Sequence, residues 1–122
     1  MRLNFKSLSR FTAFLCFSLA VVWIFFPRLM AEMWHIDFSY EVGLIGRRSG
    51  ALFAGFGTIF FLIGNSKPSP ARYAIVLGFV VSCLLLALFG VYEFYGDHAN
   101  VLILFSSAIE ITLAGAFLNA RN

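Results

Sequence analysis

The chain has 122 residues, of which 61% are hydrophobic and only 12% charged, and its formal net charge is +3. Soluble domains carry about 25% charged residues, so this composition excludes an ordinary soluble domain and predicts a single membrane-embedded domain. At about 20 residues a span, the length accommodates four spans with short loops and leaves no room for a soluble catalytic domain.

The first predicted element is a membrane span over residues 8–26. Residues 1–10 include Arg2, Lys6 and Arg10 and no acidic residue, and an apolar run follows. A basic start before an apolar run is also the pattern of a secretory signal. That alternative is disfavoured because the run ends at Pro27 without the small residues of a cleavage site. We therefore expect an uncleaved span.

Residues 27–36 predict a short interfacial helix between the first and second spans. Pro27 suits a first helical position, and the apolar side chains that follow group on one side, as in segments that lie along a membrane surface. Glu32 and His35 have the Glu-x-x-His spacing of di-iron sites. Those sites need a second such motif and further carboxylates, so we expect no metal here and interpret both side chains as solvated.

The second predicted span covers residues 43–64, and Ser39 is the predicted N-cap of its helix. Small residues recur every three or four positions on one face, and such faces let helix backbones approach closely in lipid. The predicted helix-packing residues are Gly46, Gly50, Ala54 and Gly57. Arg47 also falls on this face, whereas Arg48 is turned about 100° away.

The third and fourth predicted spans cover residues 71–91 and 101–118, after a loop with two prolines. Cys16 and Cys83 fall inside apolar runs. A thiol in such a run behaves as a small hydrophobe, and we expect no disulfide. The four spans predict an all-α integral membrane bundle, with the short interfacial helix between its first and second transmembrane helices.

Glu110 is the acidic residue expected within the membrane, near the middle of the last span. A bare charge at mid-bilayer costs about 2.5–3.5 kcal/mol, so Glu110 is expected to be protonated, partnered or hydrated. Ser106 and Ser107 flank it on the same face. The sequence leaves two possible partners for Arg47, namely Glu110 and Glu93. These five residues form the predicted polar cluster, with a binding or structural role.

The predicted spans leave loops of opposite character on the two sides of the membrane. One side has only basic residues, namely Arg2, Lys6, Arg10, Lys67, Arg72 and Arg121. The other side has three arginines and most of the acidic residues, namely Glu32, Asp37, Glu41, Glu93 and Asp97. By the positive-inside rule, this asymmetry predicts that both termini are cytoplasmic.

Several short features match one family of small membrane proteins. They are the segment FPRLMAEMWHI after the first span, the start of the second span from Glu41 through Arg47-Arg48-Ser49-Gly50, and Gly57, Arg72 and Glu110. On these features the chain resembles the DoxX-like four-helix membrane proteins over nearly its whole length. The resemblance implies a bacterial inner-membrane location. It also implies a protein partner, because some relatives accompany membrane redox complexes as accessory subunits.

Two function classes remain open from the sequence. In the first, the chain is a non-catalytic subunit or scaffold of a membrane complex, with lipid and another membrane protein or a second copy as partners. In the second, it is a small oligomeric transporter or channel that uses Glu110 and Arg47 in a polar intramembrane cavity. An enzyme is disfavoured because no catalytic set, metal cluster or phosphate loop can be assembled. No cofactor or nucleic-acid motif is recognisable.

Overall fold

The computed structural model describes residues 4–120 and contains five α-helices. They are α1 (Phe5–Phe25), α2 (Pro27–Met33), α3 (Tyr40–Ile63), α4 (Pro70–Tyr95) and α5 (Leu102–Ala120). No strand occurs among these residues. The all-α class predicted from the sequence is confirmed, and so is a short helix between the first two long ones.

Helix starts lie where the sequence provides capping residues. Ser39 Oγ accepts a hydrogen bond from Val42 N at 3.2 Å, which confirms the predicted N-cap of α3. Ser69 Oγ likewise accepts from Arg72 N at 3.1 Å at the start of α4. Pro27 occupies the first turn of α2, where its missing N–H costs nothing. These contacts satisfy N–H groups that no hydrocarbon neighbour could satisfy.

The long helices associate as two antiparallel pairs. α1 packs along α3 and α4 packs along α5, whereas fewer contacts join one pair to the other. In each pair, a buried serine donates a hydrogen bond from one helix to the other. Ser9 Oγ on α1 donates to Phe60 O on α3, and Ser107 Oγ on α5 donates to Ala87 O on α4 at 3.2 Å. Each long helix therefore pairs with a long helix that is consecutive to it in the sequence, α1 with α3 across the short α2.

Four phenylalanines, one from each long helix, form an aromatic core where the two pairs meet. Phe60 and Phe117 are 0% exposed, and their ring centroids are 5.1 Å apart. Phe79 lies 4.6 Å from Phe60 and 5.4 Å from Phe117, and Phe5 lies 6.0 Å from Phe117. Edge-on contacts of this kind add to the dispersion energy of close packing.

The two ends of the bundle differ in charge. We call the starts of α1 and α4 and the ends of α3 and α5, with the turn at 64–69, the basic end. Its charged residues in the described part of the chain are Lys6, Arg10, Lys67 and Arg72, all basic. Arg2 and Arg121, which also entered the prediction of orientation, lie outside the described residues. We call the opposite end, with α2 and the turn at 96–101, the acidic end.

A pair of hydrogen bonds closes the acidic end. Asn100 Nδ2 donates to Met33 O at 2.8 Å, and the Asn100 backbone N–H donates to Trp34 O at 3.2 Å. The Trp34 ring in turn packs edge-on against Trp23, with centroids 5.9 Å apart. The turn between α4 and α5 is thereby attached to α2 and, through it, to α1.

Three of the five helices are long and apolar enough to cross a membrane, namely α1, α4 and α5. Three of the four predicted spans are thereby supported, whereas residues 43–64 do not qualify on composition. α3 has sufficient length, with 24 residues. Its two adjacent arginines, Arg47 and Arg48, and its many glycines lower its hydropathy. The residue types that make this helix distinctive also weaken it as an apolar segment.

Candidate functional site

The strongest candidate for a functional group is the carboxyl of Glu110, in the middle of α5. Glu110 shares its helix face with the buried Ser107, Ala114 and Phe117, at spacings of three and four. Its Oε1 accepts a hydrogen bond from Ser106 Oγ at 2.9 Å. Its Oε2 is buried without a hydrogen-bond partner among the described residues. A buried unpaired oxygen is costly, so a proton or a cation would be stabilised there.

Thr12 on α1 presents a second unpartnered polar atom at the same level of the bundle. Thr12 is 0% exposed, and its Oγ1 has no hydrogen-bond partner within residues 4–120. Phe5 and Phe117 are in contact, and α1 and α5 run in opposite directions. Thr12 and Glu110 each lie about 10 Å along their helices from that contact, at ~1.5 Å per residue. The two polar groups are therefore level with each other.

Two buried cysteines lie close to this level. Cys16 is one turn beyond Thr12 on α1, and Cys83 is on α4; both thiols are free. Cys83 is one turn before Ala87, whose carbonyl accepts from Ser107, so the antiparallel register places Cys83 near the level of Glu110. Three helices thus contribute to one region, which we call the interior polar layer and define as Thr12, Cys16, Cys83, Ser106 and Glu110.

Arg47 lies outside the interior polar layer. It is exposed at the acidic end, and its guanidinium carbon is 5.8 Å from the centre of the Tyr40 ring. Glu93 Oε2 instead pairs with His98 Nδ1 at 2.7 Å. Among the described residues, Arg47 forms no ion pair with Glu110 or with Glu93. The five residues of the predicted polar cluster are consequently dispersed, and only Ser106 contacts Glu110.

Ser107 holds α4 against α5. Its side chain is 3% exposed and, besides its bond to Ala87, it faces Gly90. A Cβ atom at Gly90 would collide with the Ser107 hydroxyl. The two backbones can approach this closely only because Gly90 has no side chain. Ser107 therefore has a structural place in the bundle, one turn from Glu110.

The glycines predicted for helix packing lie against α1. A Cβ atom at Gly46 or Gly50 would come within 2.6 Å of a side-chain atom on α1, and one at Gly57 within 3.0 Å. All three glycines are buried. Ala54, the fourth predicted member, is only half-buried. The close contact of α1 with α3 thus rests on the three glycines.

Sequence reasoning did not single out Thr12 or Cys83. Thr12 had a detectable signal, because Ser9, Thr12 and Cys16 recur at spacings of three and four in an otherwise apolar span. Such a line marks a face turned away from lipid. Cys83 had no comparable signal, since its closeness to Glu110 depends on the register between α4 and α5.

Two shallow grooves lie on the surface away from Glu110. One, of about 280 Å³, lies beside Phe11 and Phe105 and the other, of about 440 Å³, beside Tyr92 and Tyr95, and both are lined mainly by apolar side chains. Among residues 4–120, no three His, Cys, Asp or Glu side chains are grouped to hold a metal ion.

No family model, no curated protein and no solved structure matches this chain.

Proposed function

We propose that this chain is a multi-pass protein of a bacterial inner membrane and a non-catalytic subunit or scaffold of a membrane complex. One observation carries the proposal: the polar side chains that reach across between helices bind backbone carbonyls. Ser9 and Ser107 do so within the helix pairs, and Asn100 does so at the acidic end. These bonds hold elements together and do not surround a ligand. The DoxX-like resemblance, with its accessory subunits, agrees with such a role.

In this proposal α3 crosses the membrane as a fourth span despite its composition. It lies along α1 from Gly46, opposite Trp23, to Gly64, opposite Arg10. A membrane that encloses α1 therefore encloses α3 as well. Arg47 and Arg48 are the eighth and ninth of the 24 residues of α3, where long side chains can reach the headgroups from inside the boundary.

The proposed orientation places both termini in the cytoplasm. A periplasm-active reporter fused after Asn122 is expected to be inactive, and one inserted near Asp97 is expected to be active, because the basic end is retained inside. Enzymatic activity of the two fusions in whole cells is the measurement. Expression levels of both fusions provide the control. The reverse pattern of activity would exclude this orientation.

Co-purification tests the subunit role. The tagged full chain, extracted in a mild detergent, is expected to bring down another membrane protein in a fixed ratio. Glu110→Gln is the matched variant, because it keeps the shape of a side chain on the interior face while removing the charge. It is expected to bring down the same protein in the same amount. A chain that purifies only with itself would contradict the proposal.

A transporter is the second candidate, and the interior polar layer is the observation that favours it. Glu110 Oε2 and Thr12 Oγ1 are unpartnered oxygens at the same depth, and a carboxyl within a span is a candidate for binding a proton or small cation. Arg47 contributes nothing to it, being exposed at the acidic end. If the chain works in this way, proteoliposomes should show a cation or proton flux that Glu110→Gln abolishes. Under the subunit proposal, the native chain and the Glu110→Gln variant give the same background flux.

A further inference from the structure

We propose that the basic end of the bundle contains a binding site for a phosphate group, formed by Arg72 and Arg10 on either side of the turn at 64–69. The inference is independent of the subunit role proposed above. It rests on two arginine side chains that are packed into the protein without an anionic partner among residues 4–120, and on the absence of Asp and Glu side chains near them.

Arg72 is a buried cation without a counter-charge. It lies in the first turn of α4 and is 6% exposed. Its Nη1 donates to Ser66 O at 2.9 Å, and its guanidinium carbon lies 3.5 Å from the centre of the Phe5 ring. Its Nε is buried without a hydrogen-bond partner. A carbonyl and a ring face attract a guanidinium, but neither carries the negative charge that burial of an arginine calls for.

Arg10 is placed in the same way on the other side of the turn. It is half-buried, and its Nε is 3.3 Å from the position that a Cβ atom would take at Gly64, directly after α3. Its guanidinium carbon lies 4.8 Å from the centre of the Phe61 ring. Its Nε is also buried without a partner. Gly64 and Ser66 are two residues apart, so both arginines contact one short turn.

None of the chain's aspartate or glutamate side chains can neutralise this pair. Five of them lie at the acidic end, and Glu110 lies in the interior polar layer, beyond the aromatic core. Lys6 and Lys67 add further positive charge at the basic end. A negative charge that neutralises this pair therefore does not come from an Asp or Glu side chain of this protein.

A phosphate group fits the position and the chemistry. Guanidinium groups bind phosphate oxygens through paired, charge-assisted hydrogen bonds, and Arg serves this purpose better than Lys. The end of a membrane-spanning bundle lies level with the phosphates of lipid headgroups, and basic residues at a cytoplasmic face attract anionic lipids. The two sources of such a group are the headgroup of an anionic phospholipid and free phosphate.

Binding of the two sources can be compared on the purified full chain in a neutral detergent. The probes are phosphatidylglycerol, phosphatidylcholine and inorganic phosphate, and the measurements are lipid retained in native mass spectrometry and the shift in melting temperature. Phosphatidylglycerol is expected to be retained and to raise the melting temperature more than phosphatidylcholine. Arg72→Gln is expected to weaken this binding about tenfold or more, because a charge-assisted hydrogen bond is lost.

Lys67→Gln is the matched control, since it removes the same charge from an exposed side chain in the same turn. It should leave binding nearly unchanged. If Arg72→Gln does not fold, Arg10→Gln tests the same site from a half-buried position. An equal effect of inorganic phosphate would support the site with free phosphate as its ligand. Equal binding of phosphatidylglycerol and phosphatidylcholine to the native chain, with no effect of phosphate, would overturn the proposal.

Discussion

Gly50→Leu is expected to destabilise the protein by about 3 kcal/mol, at the upper end of the usual cost of overpacking. A Cβ atom at Gly50 would lie 2.6 Å from Ile24 Cγ1 and 3.1 Å from the Ala20 carbonyl oxygen. The first contact is with the inner part of a side chain and the second is with backbone. Neither can move aside without separating α1 from α3. The thermal midpoint of the purified variant in detergent measures the effect.

Gly55→Leu is the matched control on the same helix. A Cβ atom at Gly55 would meet nothing within 4 Å. Replacing an exposed helical glycine also gains up to about 1 kcal/mol in helix propensity. This variant is therefore expected to be as stable as the native protein or slightly more stable. Equal destabilisation of both variants, or a greater loss at Gly55, would contradict the α1–α3 interface described above.

Phe117→Ala is expected to cost about 2–3 kcal/mol. Large-to-small changes of a buried phenylalanine cost about 3–5 kcal/mol in soluble proteins. In a membrane the transfer part is smaller because lipid is itself apolar, and the loss of close contacts remains. Phe117 is 0% exposed and touches three other rings of the aromatic core. Thermal unfolding in detergent again reports the loss.

Phe105→Ala controls for the change of residue type on α5. Phe105 is 69% exposed and faces away from the bundle. Its removal leaves no internal cavity, so the stability should change by less than about 0.5 kcal/mol. If Phe105→Ala were as damaging as Phe117→Ala, the aromatic core would not be the junction between the two helix pairs.

The sequence predicted the helices more fully than their arrangement. Hydrophobic runs, Pro27 and Ser39 located helix positions and starts, because these signals are local. The order of the helices favours pairing of consecutive ones, but the register between α1 and α3 depends on contacts that are not local. The chain has sixteen phenylalanines, and their spacing does not reveal which four meet in the aromatic core.

Arg47 shows how a periodic pattern can include one residue too many. A face defined by spacings of three and four is wide, and Arg47 lies at its margin beside Gly43 and Gly46. The strip of this face that holds the three glycines contacts α1, and Arg47, beside that strip, remains exposed. Arg72 enters the sequence prediction as one of the basic residues of one side and as a feature of the DoxX-like resemblance, without any prediction that it is buried. Its burial depends on the approach of Phe5 from another helix, which only the folded chain brings about.

The pairing of α1 with α3 has a consequence for biosynthesis. α1 is made first, yet its partner is complete only when Ile63 has been added to the chain. Until then, Ser9 on α1 lacks its hydrogen-bond acceptor, the Phe60 carbonyl on α3. α4 and α5 are joined by a short turn and can associate as a hairpin soon after synthesis. Assembly would then end with this hairpin docking onto the finished first half through four aromatic rings.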